Sequence, residues 1–286
     1  MSQQSRVVVV GCGDIGSRAA LLLQQQGYRV YGLRRNPAHL PAGVVPIAAD
    51  LQDPHCPSGW PTQSIDYLIY AVAAQGRTEE DYQQAYLQGQ RHVYAWLEQH
   101  QQQPKRIIFV SSTSVYGQAD DSWVDEKSET QPETWSGQLM LAAERCAWQS
   151  GYPATAVRLA GIYGPKRNLL IRQVRDGYHA AGLHNFTNRI HADDAAGLIA
   201  AIVQADAQGH AVESVYLGVD NLPVELAEVV AWLQQQLRVS AVPGLQLKRR
   251  AGSKRCSNAR ARGLGWTPEY SSFREGYAAQ LADFSE

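Results

Sequence analysis

Residues 7–16 read Val-Val-Val-Val-Gly-Cys-Gly-Asp-Ile-Gly, so four β-branched residues lead directly into the pattern G-x-G-x-x-G. Apolar residues then recur with helical spacing up to Gly27, and residues 28–33 predict a second strand. A glycine pattern of this kind is informative only where it follows a strand and opens a helix. Here it does both, which indicates a strand-turn-helix-strand unit that binds a dinucleotide.

Each glycine of the pattern has a physical purpose. Gly11 permits a tight turn, Gly13 lets the pyrophosphate approach the backbone, and Gly16 allows close packing of helix on strand. The unpaired N–H groups and positive dipole end of the helix then attract phosphate. We therefore predict that the cofactor contacts five residues of this turn; the alternative is an ordinary glycine-rich loop. The five are Gly11, Gly13, Asp14, Ile15 and Gly16.

Arg34 and Arg35 follow the second predicted strand, at the place where NAD-binding proteins carry an acidic residue. A carboxylate there would repel the 2′-phosphate of NADP, whereas a guanidinium group can bind it through charge-assisted hydrogen bonds. We predict that both arginines bind the cofactor and that NADP is preferred, with NAD as the second option. Two exposed loop arginines without a ligand are the alternative.

The composition is that of an ordinary globular protein: 286 residues, 44% hydrophobic and 19% charged, with a net charge of −1. This balance predicts neither nucleic acid nor membrane as a partner. The longest early apolar run, residues 7–10, is too short for a signal peptide or a membrane span. The four cysteines are scattered, which predicts reduced thiols and a cytoplasmic location. No metal-ligand motif occurs, so no metal is expected.

Strand and helix patterns alternate over the first 200 residues, which is typical of a parallel sheet with helices on both faces. The predicted fold class is α/β: a Rossmann-type doubly wound parallel sheet with a smaller C-terminal substrate domain. We place the NAD(P)-binding domain at residues 1–165 and the substrate-binding region at 166–286, partly interwoven with the first. The predicted strands are 7–10, 28–33, 44–48, 67–71, 106–111 and 154–159, and the longest early helix is 81–100.

Further motifs follow in order along nearly the whole chain. They include Asp50-Leu51, the run Val110-Ser-Ser-Thr-Ser-Val-Tyr-Gly117, Arg158, and the run Gly161-Ile-Tyr-Gly-Pro165. They continue with Ile190-His-Ala-Asp-Asp194, Ser257-Asn258 and Gly263-Leu-Gly-Trp266. With these motifs the chain resembles an extended short-chain dehydrogenase/reductase of the NAD-dependent epimerase/dehydratase family.

The resemblance implies functions for several residues outside the glycine turn. Asp50 would bond the adenine amino group, with Leu51 beside it, and the segment containing Ala71 and Ala73 would lie under the ribose. Ser112 would face the substrate oxygen next to the nicotinamide. A simple run of hydroxyl residues at a strand end is the alternative for Ser112 and its neighbours.

One part of the family pattern is missing. The family uses a Tyr followed four residues later by a Lys, which lowers the pKa of the phenol for proton exchange with the substrate. Here Ser136 occupies the Tyr position and Met140 the Lys position, and none of the 14 tyrosines has a Lys four residues later. Tyr86 stands near the place of the family's supporting Asn.

Tyr116, Tyr163 and His191 would lie near the reactive end of the cofactor if the resemblance holds. His191 titrates near neutrality and is the best candidate of the three for the proton donor. Their alternatives are structural: His191 orders the loop before a helix, and Tyr163 packs within a turn. We predict Ser112, His191 and Tyr163 as the catalytic set.

The C-terminal third has a basic bias. The resemblance implies that such arginines bind the diphosphate of a nucleotide-linked substrate, a task that suits the guanidinium fork, and a solvated surface is the alternative. The residues concerned are Arg167, Arg172, Arg175, Arg189, residues 248–250, Lys254 and Arg255.

Three functions stay open at this stage. The first is an NADP-dependent oxidoreductase or epimerase acting on a small sugar-like or nucleotide-linked substrate through an unusual proton donor. The second is a cofactor-binding sensor or partner-binding module without turnover, and the third is a structural role without cofactor. A homodimer formed through two helices per subunit is an option for the assembly.

Overall fold

The computed structural model describes residues 4–247 and 252–284. Thirteen strands lie in these residues. They are β1 Arg6–Val10, β2 Arg29–Arg34, β3 Val45–Ala48, β4 Tyr67–Tyr70, β5 Arg106–Ser112, β6 Trp123–Val124, β7 Ala154–Leu159, β8 Gly161–Tyr163, β9 Phe186–Thr187, β10 Arg189–His191, β11 Val215–Gly218, β12 Val224–Glu225 and β13 Arg255–Cys256.

Nine α-helices are found in the same residues, and none of them is both long and apolar enough to cross a membrane. They are α1 Asp14–Gln25, α2 Glu79–Gln83, α3 Gly89–Gln99, α4 Trp135–Trp148, α5 Leu169–Arg175, α6 Ala192–Ala207, α7 Leu226–Leu237, α8 Ala259–Gly263 and α9 Phe273–Phe284.

Seven strands form one parallel sheet in the order β11-β7-β5-β4-β1-β2-β3. The chain moves outward from β1 to β3 and then returns to the other side of β1 at β4. Such a reversal leaves a crevice at the carboxyl ends of the central strands, which is where open α/β sheets bind ligands. The predicted Rossmann-type sheet is therefore confirmed, and the glycine turn lies at this crevice.

The residues of β1 show why the sheet is buried on both faces. Successive side chains of a strand point to opposite faces, and Val8 and Val10 pack in the core on one face while Val7 and Val9 pack in the core on the other. All four are fully buried. A continuous run of β-branched residues is what a strand covered by helices on both sides requires.

A third hydrophobic core belongs to the C-terminal region, where α5, α7 and α9 contribute Ile171, Leu233 and Phe273. The region is also joined to the central sheet. Its strand β11 pairs with β7, and α6 packs against α1. The chain after residue 165 thus supplies most of this small core and also one edge of the main sheet. The division into two domains at residue 165 stays a prediction.

The helix predicted over residues 81–100 is interrupted. The structure has the short helix α2, a π-helical turn at Gln84–Gln88, and then α3. A π-helical turn holds about one residue more than an α-helical turn. Tyr86 is buried within this turn, and the Gln90 side chain donates to Tyr86 O at 2.6 Å. Helical periodicity alone does not reveal such a turn, and π-turns are often found at functional sites.

Candidate active site

The turn between β1 and α1 is held tightly against the loop after β4. Gly11 has a φ of +80°, and its N–H donates to Leu33 O at 3.1 Å. A Cβ built on Gly11 would lie 2.6 Å from the backbone of Val72. A side chain at this position would be strained in its backbone and would also collide with the neighbouring loop.

The other two glycines of the turn differ in the space around them. A Cβ on Gly16 would lie 2.5 Å from Gly11 O and 3.1 Å from the Val9 side chain, so Gly16 allows α1 to pack against β1. A Cβ on Gly13 would meet nothing closer than Gly11 O at 3.9 Å. The space above Gly13 is therefore open, as the approach of a pyrophosphate requires.

Helix α1 begins immediately after this opening. It starts with Asp14 and Ile15, and no side chain in the described part of the chain caps its amino end. The first N–H groups of a helix have no partner within the helix, and together with the helix dipole they form an anion-binding site. Turn and helix end together thus fit the pyrophosphate of a dinucleotide.

Asp14 joins this helix end to two other parts of the chain. Its Oδ1 accepts from Arg18 Nε at 2.9 Å, and its Oδ2 accepts from Arg167 Nε at 2.9 Å. Arg18 also pairs with Asp193 at the start of α6. Burial acts to raise the pKa of the Asp14 carboxyl, but the hydrogen bonds from Arg18 and Arg167 outweigh it and lower that pKa.

Arg34 and Arg35 lie where β2 ends, beside the same turn. Arg34 Nη1 donates to Cys12 O and to His39 O, both at 3.3 Å. Arg35 is exposed. The Arg34 guanidinium is thus directed toward the glycine turn, and Arg35 extends the positive charge outward along the same edge.

The residues predicted to contact the adenine and the ribose come after β3 and β4, the next two strands along the chain. Asp50 and Leu51 come after β3, where the exposed Asp50 accepts from Gln52 N at 3.0 Å through Oδ1. Ala71 and Ala73 lie in the loop after β4, whose first N–H donates to Val10 O. This loop is partly open, so its backbone can support a ligand.

Ser112 is the last residue of β5, at the same edge of the sheet. Its Oγ accepts from Ser114 N at 3.1 Å and so caps the 3-10 turn Thr113–Val115. This bond uses an acceptor lone pair and leaves the hydroxyl hydrogen available. Ser112 can therefore still donate a hydrogen bond to a ligand oxygen.

Helix α4 carries Ser136 and Met140, the two residues predicted to occupy the family's Tyr and Lys positions. Ser136 lies in its first turn, with its Oγ 3.3 Å from Thr134 Oγ1. Met140, one turn further, is 6% exposed and packs in the main hydrophobic core. No charge at position 140 can act on a neighbouring hydroxyl group, so Ser136 keeps the weak acidity of an ordinary alcohol.

A buried ion pair fixes this helix beneath Ser112. Arg158 of β7 donates to both carboxylate oxygens of Glu144, at 2.9 and 2.7 Å. Ser111 Oγ donates to the same carboxylate at 2.5 Å, and Arg158 Nη1 donates to Tyr116 Oη at 2.7 Å. The network joins β5, β7 and α4, and it supports the loop that begins at Ser112.

Tyr163 and His191 lie side by side on the paired strands β8 and β10, with ring centroids 5.3 Å apart. Both are buried. His191 Nδ1 accepts from Asp193 N at 3.3 Å, and Tyr163 Oη donates to Ser272 O at 3.4 Å. Burial lowers the pKa of the His191 imidazole and raises that of the Tyr163 phenol. Neither bonds to Ser112, and their catalytic function stays a prediction.

The basic residues of the C-terminal third do not form one surface. Arg189 is buried and donates to Thr187 Oγ1, Lys254 Nζ donates to Tyr116 O at 3.0 Å, and Arg255 stacks on Phe186. Arg172 is exposed, and residues 248–250 lie outside the described residues.

Arg167, another of these basic residues, bonds to Asp14 of the glycine turn. Its predicted contact with a substrate diphosphate stays a prediction. The sequence did not predict this contact with Asp14. The acidic residue within the glycine pattern is the feature that could have indicated an ion pair at this turn.

The family model for NAD-dependent epimerases/dehydratases matches residues 7–218 of the chain. The chain belongs to this family. A search of curated proteins finds no significant match to it. Membership explains why the motifs of the glycine turn, the Ser112 loop and the β8–α5 connection occur in this order.

Solved structures agree with this assignment. A protein from Methylobacillus flagellatus, named for the NAD-dependent epimerase/dehydratase family, is 32% identical over 99% of this chain and 100% of its own, with a TM-score of 0.79. A UDP-glucuronic acid 4-epimerase from Bacillus cereus, solved with NAD, is 17% identical over 98% of each chain (TM-score 0.80). A UDP-glucose 4-epimerase from Thermotoga maritima, solved with UDP-glucose, is 18% identical over 98% of each chain (TM-score 0.78). At these identities, the two epimerase structures show that this protein shares their fold.

Proposed function

We propose that this protein is a nicotinamide-dependent oxidoreductase or epimerase that acts on a nucleotide-linked sugar. The supporting observation is that the open glycine turn and the Ser112 hydroxyl lie at one edge of the sheet, on strands separated only by β4. Neighbouring strands are about 4.8 Å apart, so the two features lie roughly 10 Å apart across the crevice. A dinucleotide held by the turn can extend over that distance.

The substrate class is inferred from structural neighbours. The Thermotoga maritima epimerase binds UDP-glucose, and the protein MoeE5, 22% identical with a TM-score of 0.77, binds UDP-glucuronic acid and NAD. We therefore propose nucleotide-linked sugars as the substrate class of this protein, without naming an individual sugar.

In the proposed mechanism the bound nicotinamide supplies hydride chemistry. Ser112 donates a hydrogen bond to the reacting oxygen of the substrate. Ser136 lacks the neighbouring charge that would activate it, so it does not replace the family's activated phenol, and solvent water supplies the proton to that oxygen. General acid–base help contributes roughly 10²–10⁴-fold, so we expect slow turnover. Tyr163 and His191 are both buried, so donation by either residue requires a change that brings it into contact with the substrate.

We further propose that NADP(H) is preferred over NAD(H). The supporting observation is the pair Arg34 and Arg35 at the end of β2, in place of an acidic residue. Arg34 is already directed toward the turn by its bond to Cys12 O. The 2′-phosphate on the adenosine ribose of NADP would lie beside two guanidinium groups, because Arg34 and Arg35 stand where an acidic residue binds the ribose of NAD.

The first test is a titration of the protein with NADPH and with NADH, followed by energy transfer from tryptophan to nicotinamide. Trp135 stands next to Ser136 at the start of α4 and is a suitable donor. We expect tight NADPH binding and weaker NADH binding, and equal affinities would contradict the preference. Oxidation of NADPH with carbonyl and UDP-sugar substrates is then measured. Ser112→Ala should lower kcat by about 10²-fold at unchanged NADPH affinity, because one preorganised donor is lost.

A second candidate is a cofactor-binding sensor without turnover. Ser136 and Met140 favour it, because they remove the acid and the charge on which the family's chemistry depends. Tight NADPH binding combined with no substrate-dependent oxidation of NADPH would support this function.

A homodimer formed through α3 and α4 and a cytoplasmic location remain proposals. Sedimentation of the purified protein tests whether the homodimer forms.

A further inference from the structure

The loop between β8 and α5 reaches from the C-terminal region to the glycine turn. Gly164 and Lys166 in this loop have φ values of +127° and +69°. Gln280 of α9 donates from Nε2 to Gly164 O at 2.7 Å and also to Asn168 Oδ1. The loop is therefore fixed at its base by the last helix, while Arg167 projects from it.

Arg167 meets Asp14 although 153 residues separate the two in the chain. The side chains are 37% and 33% exposed, so the ion pair lies at the surface of the crevice and not in the core. Exposed ion pairs contribute little to stability. Stability therefore does not explain why the glycine pattern contains an acidic residue to which a distant arginine is bonded.

We propose that Arg167 is a cofactor-binding residue that contacts the pyrophosphate of the dinucleotide, and that Asp14 holds it at the turn until the cofactor enters. This inference rests on the proposed function. Asp14 is the first residue of α1, whose unpaired N–H groups attract phosphate. A guanidinium bonded to its carboxylate is therefore already beside the place that the pyrophosphate would occupy, and it offers further N–H donors to it.

The second partner of Asp14 makes this transfer feasible. Arg18 stays bonded to Asp14 Oδ1 within the same helix and is itself held by Asp193. When Arg167 turns to the phosphates, the carboxylate therefore retains one cation. The negative charge of Asp14 remains balanced, and its repulsion of the pyrophosphate is limited.

The experiment compares wild type with Arg167→Gln, Asp14→Asn and Arg172→Gln in the full-length protein. Binding of NADPH and of ADP-ribose is measured by fluorescence or calorimetry, with adenosine as the ligand without a pyrophosphate. We expect Arg167→Gln to weaken NADPH and ADP-ribose by about tenfold or more, because one charge-assisted hydrogen bond is lost, and to leave adenosine unchanged. Arg172→Gln removes an exposed charge of the same sign nearby and should have no effect.

Asp14→Asn separates a cofactor contact from a structural bridge. If Arg167 is released to the pyrophosphate, this variant binds NADPH more tightly than wild type, because the carboxylate no longer competes for Arg167 while the backbone N–H of residue 14 is kept. If the ion pair is only a bridge that shapes the turn, both variants weaken binding alike, and the inference is overturned. Unchanged NADPH affinity in Arg167→Gln also overturns it and leaves the proposed function intact. Absence of any dinucleotide binding in wild type overturns both together.

Discussion

At the scale of single residues, the proposed cofactor site and the proposed proton step depend on different elements. The open glycine turn lies between β1 and α1, and Ser112 ends β5. Ser136 and Met140 lie on α4, where Met140 packs in the core. If these two residues occupy the family's Tyr and Lys positions, as the sequence predicts, the proton step is altered while the proposed cofactor site is kept.

Arg35 carries the sharpest residue-scale prediction of cofactor choice. Because it is exposed and lies at the end of β2, its replacement should not disturb the fold. We expect Arg35→Gln to weaken NADPH by about tenfold and to leave NADH affinity unchanged, since only NADP carries the 2′-phosphate. The ratio of the two dissociation constants is the measurement. Arg77→Gln, an exposed arginine before α2, is the control, and equal weakening of both dinucleotides would contradict the prediction.

At the scale of elements, the first βα unit is the part that local sequence predicts best. Strand β1 and helix α1 follow from a buried β-branched run and an apolar helical face, both of which are encoded within 25 residues. The π-turn at Gln84–Gln88 and the Asp14–Arg167 contact were not predicted. The first depends on how Tyr86 packs against other elements, and the second joins residues 153 positions apart, so neither leaves a local pattern.

The Glu144–Arg158 pair tests how β7 and α4 are held together. Both side chains are almost completely buried, and removing one partner leaves an uncompensated buried charge. We expect Glu144→Gln to lower the free energy of unfolding by about 3–5 kcal/mol, measured by urea denaturation. Glu228→Gln, which breaks an exposed pair with Arg274, should cost less than about 1 kcal/mol. Similar losses in the two variants would show that the buried network is not what fixes α4.

At the scale of the whole molecule, the segment after β11 joins two hydrophobic cores, because Val219 packs in the main core and Val224 packs in the C-terminal core. Asp220 lies in this segment, two residues after β11, and is 2% exposed. Its N–H donates to Arg189 O at 2.7 Å, and its Oδ1 accepts from Leu222 N at 3.0 Å. A carboxyl group is thus enclosed in this segment, and its ionisation places a charge away from water, which costs free energy.

The pH dependence of stability should report this enclosed carboxyl. Burial raises the pKa of Asp220 from its ordinary value of 3.8 to about 7. Arg189 acts to lower it, and Asp194 and Glu275 act to raise it. Because the folded state binds this proton more tightly than the unfolded state, the stabilising contribution is fully present below about pH 4. It is lost as the pH rises toward 7, with a slope of at most about 1.4 kcal/mol per pH unit.

Asp220→Asn removes the titration while keeping the shape of the side chain. We expect the free energy of unfolding of wild type, relative to this variant, to decrease steadily between pH 5 and pH 7. Chemical denaturation at several pH values measures both curves, and the comparison cancels groups that titrate in the two proteins alike. Parallel curves would show that Asp220 is ionised in the folded protein throughout this range. A decreasing difference would show that Asp220 keeps its proton in the folded protein at pH values where the unfolded chain has lost it.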